Sequence, residues 1–195
     1  MSVPHEHEPA SRSIGVPVHG LHHFAWRCRD AEETRHFYED LLGLPLVHMV
    51  RADVVPSTGE RCPYAHLFFE MQDGSCVAFF DLGDDQAAEP SPNTPPWVNH
   101  LALRVASRED LLQACHRLRA AGVDVLGVTD HHFLESIYFF DPNGIRLELT
   151  TPAGDPDHAR AARESAHRQC AEWMAEKARA RQQRAGQDPA DTHRG

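Results

Sequence analysis

The chain has 195 residues, 29 acidic against 19 basic, for a formal net charge of −10. That length suits one domain or two small fused modules, and its 41% apolar content is enough for a core. No run of about 18 apolar residues is present to span a bilayer, no charged-then-apolar leader opens the sequence, and the acidic balance argues against nucleic acid, which needs a basic face.

Residues 1–17 mix His, Pro, Ser and Glu without periodicity and read as a flexible tail. The body, 18–153, contains an internal repeat. His23-Phe24-Ala25-Trp26-Arg27-Cys28-Arg29-Asp30 and His100-Leu101-Ala102-Leu103-Arg104-Val105-Ala106-Ser107 both read H-x-A-x-R-x-x-[D/S]. Each copy then enters a helix. Asp30 with Glu33, and Ser107 with Asp110, form N-terminal capping pairs. Gly43 and Gly122 follow as C-terminal stops.

Strands come next. In the first copy they are expected at Leu46–Arg51, Tyr64–Met71 and Cys76–Leu82, with Gln72-Asp73-Gly74 as a hairpin turn. In the second they are expected at Val123–Val128, Ser136–Phe140 and Ile145–Thr150, with Asp141-Pro142-Asn143-Gly144 as the turn. Each copy is thus β-α-β-β-β, modules 18–82 and 97–153 joined by a Pro- and Asp-containing linker, and the class is α+β. Residues 154–195 shift to Ala, Arg, Glu and Gln and predict a helix over about 156–184. Its stripe of Ala162, Ala166, Cys170 and Trp173 suits packing on the domain surface; a dimer contact or a lid is the alternative.

Five scattered cysteines without CxxC spacing make a thiolate zinc site unexpected and fit a reducing cytoplasm. Fifteen histidines stand out. His5, His7, His158, His167 and His193 fall in the two extensions, and His36 and His116 fall on helices, where solvation explains them. His19 and His48 carry no supporting spacing.

The two modules, a His near the start of each, Phe37-Tyr38-Glu39-Asp40-Leu41-Leu42-Gly43-Leu44, and Ile137-Tyr138-Phe139-Phe140-Asp141-Pro142-Asn143-Gly144-Ile145-Arg146-Leu147-Glu148-Leu149 together resemble the vicinal oxygen chelate superfamily. That superfamily includes glyoxalase I, methylmalonyl-CoA epimerase, fosfomycin and bleomycin resistance proteins, and type I extradiol dioxygenases. The resemblance covers about 18–153. It implies one metal site with ligands on the first and last strands of each module: His23, His100 and Glu148. His22 has the opposite strand parity from His23. Aligning Asp73-Gly74 with Asn143-Gly144 sets Ala78 opposite Glu148, so the fourth ligand is missing. Asp81 and Glu70 are the competitors, and Asp81, three residues on, belongs to the other face.

Two His and one carboxylate with open positions are the donor set of non-haem Fe(II) oxygenases. The resemblance then implies an Fe(II)-dependent extradiol-type dioxygenase, with Mn(II) or another divalent metal as the alternative. It would take a small catechol-like aromatic and O2, in a homo-oligomer such as a dimer. Tyr138, ten residues before Glu148, would hold the substrate oxygen, and His131 or His132 would handle the oxygen intermediate. The proton-transferring His expected near Gly74-Ser75-Cys76-Val77 is absent, and His66 is its substitute. A lyase or isomerase of glyoxalase or epimerase type, or a metal-free binding protein, is the alternative function.

Overall fold

A computed structural model describes residues 16–154 and 157–186. Most of the expected N-terminal tail and the end of the chain lie outside the described residues. The chain divides into two compact units. The first runs through Ser91 and includes Pro142–Gly144; the second holds Pro92–Asp141 and everything from Ile145.

In unit 1 the elements are β1 (His23–Cys28), α1 (Ala31–Arg35), a π-helical continuation (His36–Leu41), β2 (Leu46–Val54), β3 (Arg61–Glu70) and β4 (Cys76–Asp81). They build one mixed sheet in the order β1-β4-β3-β2. The Asp30 carboxylate accepts from Glu33 N–H at 2.7 Å, as the capping pair predicts. Asp81, on β4, accepts from Ala31 N–H at 2.9 Å and so ties the helix start to the sheet. The helix widens after Arg35: Leu42 N–H reaches Phe37 C=O at 3.0 Å, five residues back. This places Tyr38 flat on the sheet. Its ring is stacked on Phe69 at 5.4 Å and tilted on Phe79 at 4.9 Å, and all three are fully buried. The turn residue Asn143 is buried in this unit, accepting from Arg29 N–H at 2.9 Å and donating to Thr34 Oγ1 at 3.1 Å.

Unit 2 repeats the plan with β5 (Leu101–Arg104), α2 (Arg108–Ala120), β6 (Leu126–Asp130), β7 (Leu134–Phe140) and β8 (Arg146–Pro152), in the order β5-β8-β7-β6. Leu111, Cys115 and Leu118 of α2 are buried, as are Ile137, Phe139, Leu147 and Leu149 of the sheet. Strand alternation puts the other residues of β7 and β8 on the opposite, open face.

Cross-strand register establishes the repeat residue by residue. In unit 1 Ala78 pairs with Ala25 and Phe68; in unit 2 Glu148 pairs with Ala102 and Tyr138. Ala78 is therefore the counterpart of Glu148, and Phe68 of Tyr138.

The final helix, α3, spans His158–Gly186. The expectation that its apolar stripe packs on the domain is not met. Trp173 is 60% and Met174 52% exposed, and Ala162, Ala166 and Cys170 are exposed as well. An alanine stripe offers little area to bury, and α3 carries six Arg and one Lys against three Glu, which favours hydration. Among the described residues no helix is long and apolar enough to cross a membrane.

Candidate metal and substrate site

Four of the sequence-predicted residues come together in unit 2. Glu148 is buried on β8. Its Oε1 accepts from Ser136 Oγ at 2.5 Å and from the Tyr138 hydroxyl at 3.1 Å. Its Oε2 lies 3.1 Å from His100 Nε2. His100 sits one residue before β5, and its Nδ1 is 3.0 Å from the Val98 carbonyl. A carbonyl can only accept, so Nδ1 carries the proton and Nε2 presents its lone pair beside Oε2 when the ring is neutral.

This pair fits a divalent cation. A buried carboxylate costs several kcal/mol unless a partner compensates it. Here one oxygen is satisfied by two hydroxyls, and the other faces only an imidazole nitrogen. A metal-ligating His commonly has its second nitrogen held by a carbonyl, which fixes the tautomer, and Val98 does this for His100.

Tyr138 is half-buried. Its hydroxyl stands 2.8 Å from His131 Nε2. Burial pushes its phenol above the usual range and the Glu148 charge adds to this, while the Ser136 hydrogen bond and the Arg146 charge oppose it. Tyr138 thus stays protonated at neutral pH. The structure distinguishes the two neighbouring histidines. His131 points at the phenol, whereas His132 is exposed in a turn at φ 70°, its N–H donating to Asp130 at 2.6 Å. The His131–Phe133 loop is backed by Gly154 at φ 77°, where an added Cβ would lie 2.3 Å from the His132 carbonyl. Phe133 stacks on His158 at 4.9 Å.

Sequence reasoning missed Ser136 and Arg146. Both share strand parity with the site: Ser136 is two residues before Tyr138, and Arg146 two before Glu148. That alternation was the available signal. The Arg146 guanidinium lies over the Tyr138 ring, 4.2 Å from its centroid.

Unit 1 gathers His23 and His66 on its open face. His23 lies edge-on to Phe68 at 5.3 Å and to His66 at 5.8 Å. His22 precedes the strand instead of alternating within it, so its Nδ1 comes within 2.7 Å of His23 Nδ1 and does not turn to the other face. His66 is stacked on Phe80 at 3.7 Å, and its buried Nε2 has no hydrogen-bond partner. Burial first, then the nearby His23 and His48, brings its imidazole from 6.5 down to about 4. It is neutral at pH 7 but a weak base. Asp81 is taken up by Ala31 N–H and by Gly83 N–H at 2.8 Å, and Ala78 is fully buried. Among the described residues of either unit, no three His, Cys, Asp or Glu side chains converge on one metal position. Each unit carries part of the predicted set.

Residues 20–149 match the family described as the Glyoxalase/Bleomycin resistance protein/Dioxygenase superfamily. No curated protein matches the chain. Solved structures share the fold. A glyoxylase/bleomycin resistance protein/dioxygenase domain from Frankia sp. EAN1pec is 19% identical, with 70% of this chain and 100% of that one covered and a TM-score of 0.57. A glyoxalase/dioxygenase from Nostoc punctiforme is 22% identical, covering 78% and 99%, at 0.52. A variant of the fosfomycin resistance protein FosX from Listeria monocytogenes, complexed with Mn(II) and 1S,2S-dihydroxypropylphosphonic acid, is 20% identical, covering 73% and 98%, also at 0.52. With the repeat register and the family match agreeing over the same residues, the chain belongs to the glyoxalase/bleomycin resistance protein/dioxygenase superfamily, the vicinal oxygen chelate fold.

Proposed function

We propose that this protein is an Fe(II)-dependent extradiol-type dioxygenase that opens a catechol-like ring with O2, with His100 and Glu148 of unit 2 among the metal's ligands. The single observation that carries the reading is the unit 2 arrangement. There a buried carboxylate and an oriented imidazole stand side by side, with Tyr138 hydrogen-bonded both to the same carboxylate and to His131.

Ferrous iron, when bound, supplies a centre at which a vicinal diol and O2 meet. The remaining work falls to side chains. Tyr138, held protonated, can turn the single proton it gives to Glu148 Oε1 toward an ionised substrate hydroxyl. With the phenol proton given to Glu148, His131 Nε2, 2.8 Å from the phenol oxygen, is the donor to it and can supply a proton there.

The test is oxygen uptake by the Fe(II)-loaded protein with a panel of catechols, followed by the yellow absorbance of ring-opened products. Consumption of oxygen with colour supports the proposal. Bound metal without oxygen uptake on any catechol overturns it, and leaves a Lewis-acid lyase or isomerase as the reading to pursue.

A further inference from the structure

Arg146 has no part in the chemistry above, and its surroundings are unusual. It is half-buried and shares the open face with Glu148. The register Leu101↔Leu147 and Phe140↔Arg146 sets it in line with His100 on one side and Phe140 on the other. Its guanidinium lies over the Tyr138 ring, 4.2 Å from the centroid, and Nη1 donates to the Trp97 carbonyl at 2.7 Å. These two contacts fix the plane of the group. They also leave the Nε and Nη2 edge, a two-pronged donor, unused.

Among the described residues no carboxylate forms an ion pair with Arg146. Several other arginines of the body do find one: Arg27 pairs with Asp84, Arg29 with Glu33, Arg35 with Glu32, and Arg108 with Glu135. In a chain with a net charge of −10, an oriented guanidinium without a carboxylate partner is suited to an external anion. Two large aromatic residues adjoin it, Trp97 through its carbonyl and Phe140 as its cross-strand partner, and both are uncovered, at 66% and 49% exposed. A planar cation beside apolar rings suits an aromatic carboxylate, which forms paired N–H···O bonds with the fork while its ring covers the aromatic wall.

We infer that Arg146 is a specificity-determining residue that binds the carboxylate of an aromatic diol acid, so that the substrate is an anionic catechol and not a neutral one. This deepens the dioxygenase reading and rests on it for the diol. The carboxylate preference rests on Arg146 alone.

The experiment compares 3,4-dihydroxybenzoate with 4-methylcatechol on the full chain, loaded with Fe(II) without oxygen. Affinities are read by titration calorimetry on wild type, Arg146→Gln and Arg146→Lys. The expected result is about tenfold tighter binding of the carboxylate in wild type, about the value of one added charge-assisted pair. That ratio should fall towards one in Arg146→Gln and stay intermediate in Arg146→Lys. Equal affinities in wild type overturn the inference without reference to any variant. So does a ratio that Arg146→Gln leaves intact, because Arg146 would then only brace Tyr138 and Trp97. Admitting oxygen separates the two proposals. Arg146-dependent binding without oxygen uptake sinks the dioxygenase and keeps the anion site. Turnover of both catechols without a carboxylate preference sinks the anion site and keeps the dioxygenase. Failure of both ligands to bind sinks both.

Discussion

His100 Nε2 and Glu148 Oε2 stand 3.1 Å apart, and each is held from behind, the ring by the Val98 carbonyl and the carboxylate by the Ser136 and Tyr138 hydroxyls. The pair is positioned by protein contacts alone, which is what a metal site needs if ion binding is not also to order its ligands.

Removing one member should therefore cost metal. Glu148→Ala is expected to lower bound iron at least tenfold, measured by elemental analysis after gel filtration. Unchanged iron would rule out the triad. Ser136→Ala should act more gently on metal but cost about 1–3 kcal/mol in denaturant unfolding, because a buried carboxylate oxygen loses its shortest donor.

Tyr138→Phe should leave iron content near wild type while lowering kcat on a catechol by about 100-fold, the low end of acid–base contributions. His131→Gln should behave similarly and His132→Gln should not, since only His131 contacts the phenol. Equal losses in the two histidine variants would refute the assignment.

Gly154→Ala places a methyl 2.3 Å from the His132 carbonyl, at a backbone φ of 77° that disfavours alanine. Thermal unfolding should show a loss of at least about 1 kcal/mol. Activity should fall further than global stability does, because the loop that must shift carries His131. A variant with full stability and full activity would show the contact to be soft.

The depressed imidazole of His66 has a defined pH signature. The folded state holds it neutral down to about pH 4, whereas the unfolded chain protonates it near 6.5. Its contribution is fully present above 6.5 and is lost as pH falls from 6.5 towards 4, because the unfolded state there binds the extra proton. Denaturation curves between these limits should be flatter for His66→Phe than for wild type. Parallel curves would show that burial at this position does not perturb titration.

Much of the fold was legible from period-two strands and capping pairs. Asp30 and Ser107 mark helix starts because a side-chain oxygen must satisfy a free N–H there. The repeat alone makes Ala78 the counterpart of Glu148, because register in a half-buried sheet permits no one-residue slip. What escaped the sequence depended on three-dimensional convergence. The switch to a wider helix after Arg35 follows from seating Tyr38 between Phe69 and Phe79, which no local pattern encodes. The choice of His131 over His132 turns on a backbone angle. The exposure of α3 was missed because a 3–4 spacing of alanines looks amphipathic while offering little area to hide.

The register between the two units bears on how such a protein changes over time. Opposite Glu148, Ser136 and Tyr138, the first unit carries Ala78, His66 and Phe68. Where the second unit has a carboxylate and the two hydroxyls that steady it, the first has apolar or weakly basic groups. Restoring glutamate at position 78 alone would strand an acid in a fully buried pocket, beside an imidazole nitrogen that has no partner of its own. The two halves of the repeat are therefore not interchangeable one residue at a time: a carboxylate introduced at position 78 meets a penalty that Glu148 escapes through Ser136 and Tyr138.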